Sequence, residues 1–108
     1  MNEMTRVFAL LGDAALRRQL QQHWRGQDTS LCGLHAEGGD SIFEEMARVR
    51  PDVVLVDADL DGTRDLVQAV ATRLRVPVVA VVRTQPHGFT ALRPLEWGAV
   101  TVLARDAE

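Results

Sequence analysis

The residues of this chain best suited to chemistry are its aspartates. The apolar run Val53, Val54, Leu55, Val56 stops on Asp57, and Asp59 and Asp61 follow at alternate positions. Asp13 follows a β-rich run, residues 6–11, after a single glycine, Gly12. A carboxylate where a buried strand surfaces is either a water-facing terminal acid or a reactive group at the mouth of a site. Carboxylates brought together supply hard oxygen ligands, which suit Mg²⁺ held by one or two acids, waters and phosphate. Asp59 and Asp61 also read as a solvated turn, and Asp13 as the N-cap of a helix.

Other chemistry is thinly provided. Cys32, the sole cysteine, makes neither an internal disulfide nor a cysteine-based metal site; in its apolar segment it reads as a buried structural thiol. His23, His35 and His87 lack zinc-ligand spacing. With no P-loop, GxGxxG or nucleophile elbow in the sequence, an independent enzyme is not expected.

The bulk numbers fit a single globular domain. The chain has 108 residues, 46% hydrophobic and 25% charged, enough for one proper core. A net charge of −3 with both signs scattered argues against direct nucleic-acid binding, which calls for a basic face. The longest apolar run, residues 76–82, is too short to span a bilayer. The N-terminal residues lack the pattern of a signal peptide, so the expectation is a cytoplasmic protein without membrane contact.

The elements that must position these acids are β-rich runs at 6–11, 52–56, 76–82 and 99–104, with a weaker one at 30–35. Runs that are continuously apolar, rather than alternating, predict strands covered on both faces, as in a parallel α/β sheet. Between them, Leu16, Leu20 and Trp24 form one helical stripe that exits at Gly26. Ser41 and Glu44 read as a capping box before a helix that ends ahead of Pro51. Leu66, Val67, Val70 and Leu74 form a stripe beginning from Thr63. A last helix, residues 90–97, contains Pro94, which should break or kink it, and Gly98 should end it.

Right-handed crossovers then predict an α/β fold of flavodoxin-like type, a doubly wound five-stranded parallel sheet in the order 2-1-3-4-5. The chain stops at Glu108, just after the fifth strand, so the last helix is absent. Residues 1–108 read as one domain, a fragment of a longer protein. In such sheets the site lies outside the carboxyl ends of the strands where the order reverses. That crevice lies between strands one and three, which Asp13 and Asp57 terminate.

The segments GDAALRRQL, RPDVVLVDADLDG, VPVVAVV and ALRPLEWGAVTVLARD resemble the receiver domain of bacterial two-component response regulators. The LEWGAV piece is similar to the LELGAV of chemotaxis-type regulators, including the methylesterases. The resemblance implies that Asp57 is the acceptor of a phosphoryl group from a histidine kinase. It implies Mg²⁺ held by Asp13, Asp57 and the backbone carbonyl of Asp59.

Several site positions depart from the family pattern. Gly12 replaces one of two adjacent acids, so Mg²⁺ should be held weakly or not at all. Val82 stands at the usual hydroxyl position, with Thr84 two residues later on the same face; losing that hydroxyl removes a bond worth about 1.5–3 kcal/mol. Arg105 replaces the family's lysine, exchanging a compact ammonium for a planar fork, and Val102 replaces the aromatic switch. Thr84 and Arg105 remain the candidate phosphoryl contacts. Trp97 lies on the edge that receivers use for partners, as an interface anchor or as core.

The expected function is therefore a regulatory receiver in a two-component or phosphorelay protein, degenerate at its phosphorylation site (a pseudo-receiver) and working by protein–protein contact. Its partners would be a histidine kinase or other signalling protein, an output domain beyond Glu108, or a second copy in a homodimer. The alternatives are a conventional receiver phosphorylated on Asp57 with Mg²⁺, and a small α/β enzyme or ligand-binding module.

Overall fold

A computed structural model describes residues 5–23, 29–39, 41–60, 62–83 and 93–105. Strands β1 (Thr5–Leu10), β2 (Thr29–His35), β3 (Val53–Asp57), β4 (Val78–Arg83) and β5 (Thr101–Arg105) form one sheet in the order β2-β1-β3-β4-β5. Every neighbouring pair is parallel. Helices α1 (Ala14–His23), α2 (Ile42–Val49), α3 (Thr63–Ala69) and α4 (Arg93–Glu96) occupy the connections. Among the described residues no helix is long and apolar enough to cross a membrane.

The main core lies between the sheet and α2 and α3. Phe8, Leu10, Val54, Val56, Val78 and Ala80 from the strands meet Ile42, Met46, Val67 and Val70 from the helices. On the opposite face Ala9, Leu11 and Val81 are buried beneath the α1 residues Leu16 and Leu20. Cover is thinner on that face. Val53 and Leu55 of β3 and Val79 of β4 are only half-buried, while Val54, Val56 and Val78 are buried. Side chains alternate across a strand, so the less covered residues share the face that carries α1.

Gly33 shows how tightly β1 meets β2. The register slips between Val7 and Phe8, pairing Val7 with Leu31 and Phe8 with Gly33. A Cβ at Gly33 would lie 2.4 Å from the Phe8 ring, so a side chain there would displace the largest residue of the core.

Two local expectations are revised. The capping box does not form: Ser41 has helical dihedrals (φ −91°, ψ −5°) and makes no side-chain cap bond. Helix α2 ends ahead of Pro51 as expected: Arg50 turns into the left-handed region (φ 51°) and donates its N–H to Met46 O, since the residue before proline avoids the right-handed helical region. Pro94 does not break α4; it lies in the first turn of Arg93–Glu96, where its missing N–H costs nothing. Gly98, at φ 112°, follows that helix as expected.

The stripe from Thr63 is helical throughout, but it changes pitch. After Ala69 the chain makes a π-helical turn, Val70–Leu74, closed by Arg75 (φ 56°), whose N–H reaches Val70 O. Trp24, Gly26 and residues 90–92 of the expected last helix lie outside the described residues.

Candidate functional site

Asp57 is the last residue of β3, paired with Val81 of β4, and it stands beside the β1 end where the sheet order reverses. The backbone after it remains fastened to the sheet, because Ala58 N–H donates to Val81 O at 2.9 Å. The half-buried Asp57 carboxylate folds back on its own loop: Oδ1 accepts the Asp59 N–H at 2.9 Å. This is an Asx-turn, in which a side-chain acceptor replaces a backbone one.

Thr63 completes the loop, and the sequence alone did not single out its hydroxyl. It is 3% exposed, and Oγ1 lies 2.5 Å from Leu60 O and 3.1 Å from Asp57 O. Leu60 N–H also donates to Asp57 O at 3.3 Å, and Thr63 N–H to Leu60 O at 3.2 Å. Gly62 precedes α3 at φ 77°, a left-handed turn that glycine makes without strain. The signal for Thr63 was a small hydroxyl residue directly after Asp-Gly, where a shortened loop must be sewn to a helix.

Position 12 faces Asp57. A Cβ built on Gly12 would be 3.5 Å from Asp57 Oδ2, 3.0 Å from Leu60 Cδ2 and 3.8 Å from Ala36 O. An acid at this position would therefore stand against Asp57, and in its absence a Leu60 methyl borders the gap. Asp13 caps α1: its Oδ1 accepts Ala15 N–H at 2.8 Å and Leu16 N–H at 3.4 Å. Such a cap satisfies donors that the first helical turn leaves without partners. Arg17 Nη1 donates to Leu11 O at 2.6 Å, which secures the end of the first strand segment just before Gly12.

No cluster of three or more His, Cys, Asp or Glu suited to a metal occurs among the described residues. Asp59 is exposed. Thr84, Asp61 and His87 lie outside the described residues, and so does the Arg105 side chain, whose backbone pairs with Arg83. His35 Nε2 is 2.6 Å from Glu45 Oε2, and its ring stacks on Phe8 at 5.4 Å between centroids.

Trp97 is half-buried and packs against the main core, so the ring serves as core on at least one side. Its neighbours supply the apolar exposure that the sequence did not flag. Leu95 is 44% exposed and Val100 63% exposed. Cys32 donates Sγ–H to Val7 O at 3.5 Å. Burial pushes its thiol pKa up, and the nearby Arg6 charge offsets part of that rise.

Comparison with known proteins finds no matching family model. The chain is 30% identical over 105 residues to a protein-glutamate methylesterase/protein-glutamine glutaminase 2 of Burkholderia thailandensis, covering 94% of this chain and 30% of that protein. A protein of the same description from Hahella chejuensis is 30% identical over 112 residues, with 99% and 30% coverage. The chain thus spans about 30% of the length of the curated relatives it matches. Among solved structures, the response regulator domain of Thermotoga maritima CheB superposes with a TM-score of 0.77 at 20% identity, covering 94% of this chain and 78% of that one. The beryllofluoride-activated N-terminal receiver domain of Klebsiella pneumoniae RstA gives 0.77 at 20% identity, with 93% and 85% coverage. This chain carries the fold of response-regulator receiver domains.

Proposed function

We propose that the chain is a degenerate receiver domain of a bacterial two-component or phosphorelay protein, which signals in the cytoplasm by protein–protein contact and is not itself an enzyme. The observation that carries this reading is the pairing of Gly12 with Asp57: the position facing the Asp57 carboxylate bears no acid, and Leu60 lies over it. Asp13 spends Oδ1 on the N–H groups of α1. With no acid at position 12, one charged ligand fewer faces Asp57, and Mg²⁺, which dehydrates reluctantly, should be held weakly or not at all.

The contact face suggested by this reading includes the exposed Leu95 and Val100, which flank Trp97 in the sequence. An aromatic flanked by exposed aliphatics is the composition that anchors interfaces. The partner would be a histidine kinase or another signalling protein, and an output domain would receive the signal.

A second reading, phosphorylation of Asp57, draws support from its half-buried place at the end of β3. Incubation with Mg²⁺ and acetyl phosphate, read by intact-mass spectrometry, separates the two. The contact reading expects no phosphoryl adduct and no NMR response to beryllofluoride. An adduct mapped to Asp57 overturns it and establishes the second reading. Sustained turnover of the donor would instead point to a small enzyme.

A further inference from the structure

We infer that Leu60 is a specificity-determining residue, an apolar plug over the space beside Asp57 that turns away a hydrated divalent cation. This rests on the degenerate-receiver reading and explains how the site is kept that way. The two oxygens of Asp57 have different surroundings. Oδ1 is engaged by the Asp59 N–H, whereas Oδ2 lies toward Gly12, where Leu60 Cδ2 comes within 3.0 Å of the place a Cβ would take.

Leu60 is not a loose surface chain. It is half-buried and packs against the main core. Its backbone is held at both ends, the N–H on Asp57 O and the carbonyl by Thr63 N–H and Oγ1. A cation entering beside Asp57 Oδ2 would exchange water ligands for a methyl group, and a charge set against apolar surface without compensating ligands is penalised.

The loss of the acid and the presence of the plug are therefore separate obstacles. Restoring a carboxylate at position 12 supplies a ligand, yet the new side chain must share its space with Leu60 Cδ2. That atom is the far end of a flexible side chain and can give way, so the single change restores binding only in part. Removing the Leu60 methyls as well should release the rest.

The test is Mg²⁺ titration followed by backbone amide NMR at Gly12, Asp57 and Asp59, with Mn²⁺ line-broadening as a second readout. The proteins are the wild type, Gly12→Asp, and Gly12→Asp combined with Leu60→Ala or Leu60→Val. The valine variant removes Cδ2 while retaining core packing, which guards against a folding defect in the alanine variant. The wild type should show no saturable shift, and each double variant should bind Mg²⁺ at least about tenfold more tightly than Gly12→Asp alone. Equal midpoints for the single and both double variants, no binding by any of them, or saturation of the wild type overturns the role of Leu60. Failure of the wider reading looks different: acetyl phosphate would label wild-type Asp57 although the wild type shows no saturable Mg²⁺ shift, while the gain from Leu60 truncation would still stand.

Discussion

Replacing Asp57 separates its roles as a charge and as a hydrogen-bond acceptor. Asp57→Asn keeps a carbonyl oxygen for the Asp59 N–H; Asp57→Ala removes it. The bond is 2.9 Å long and solvent-exposed, so its charge assistance is largely screened and the net value falls near about 1 kcal/mol. The Asp59 N–H is left to water in the alanine variant, so no buried donor adds to the loss. In a domain of this size about 1 kcal/mol corresponds to roughly 5 °C in Tm. Urea and thermal unfolding of the three proteins, with unchanged m-values, supply the comparison. We expect Asp57→Ala to lose that amount and Asp57→Asn to stay within about 0.5 kcal/mol of the wild type. The refuting result is a gain. If Asp57→Asn stabilises the domain by about 1 kcal/mol or more, Asp57 is repelled by crowded like charges, as in a pocket built to hold a cation. The reading of a dismantled site would then be wrong.

Three further outcomes follow from local geometry. Thr63→Val removes the hydroxyl from the buried junction of Asp57 O and Leu60 O, and should cost about 1 kcal/mol in urea unfolding, with most of it retained in Thr63→Ser. Gly98→Ala forces an L-residue into φ 112° and sets a Cβ 3.0 Å from Ala71 Cβ; a loss of more than about 1 kcal/mol is expected in thermal unfolding. For Cys32, burial raises the folded pKa above the unfolded one. The unfolded chain then releases its proton first, so this contribution to stability is complete below the unfolded thiol pKa of about 8.5. It is lost as the pH rises through the folded value. Unfolding of wild type and Cys32→Ala between neutral and alkaline pH should show that slope in the wild type alone.

The sequence announced the sheet through its apolar runs, and Asp57 through the abrupt end of one of them. What it hid were features set by one atom or one residue of register. The slip at Val7 and Phe8 leaves no mark in a run whose residues are nearly all apolar. The π turn of Val70–Leu74 inserts one residue per turn into a stripe whose apolar positions still point inward. Ser41 matches a capping box by type, yet its backbone joins the helical turn and so makes no side-chain cap bond. Pro94 was legible as a helix breaker, but whether proline breaks or begins a helix depends on where the first turn falls. Asp13 was read both as cap and as ligand, and the hydrogen bonds at Oδ1 realise the cap. Leu60 and Thr63 escaped notice because an ordinary leucine and threonine in a loop carry no pattern until the loop is folded over Gly12.

The arrangement at the end of β3 bears on what could drive a change of state. A phosphoryl group adds charge of about −1.5 to −2, but charge acts as a switch only where a bistable element reads it. Here Asp57 and the chain that follows it are fastened from three directions: to β4 through Ala58, to Asp59 through Oδ1, and to α3 through Thr63. Each bond favours one loop conformation, and Leu60 is packed into the core from within that loop. Rigidity of this kind is a handicap for a switch that must reorganise and an asset for a surface that must be presented in one shape. Pro94, Gly98 and Ala99 give the exposed Leu95 and Val100 such a mounting, with Ala99 N–H bonded to Pro94 O and Val100 N–H to Val78 O at the start of β4. On the contact reading, a partner that binds Leu95 and Val100 meets a surface already formed, and its affinity should be indifferent to whether Asp57 is aspartate or asparagine.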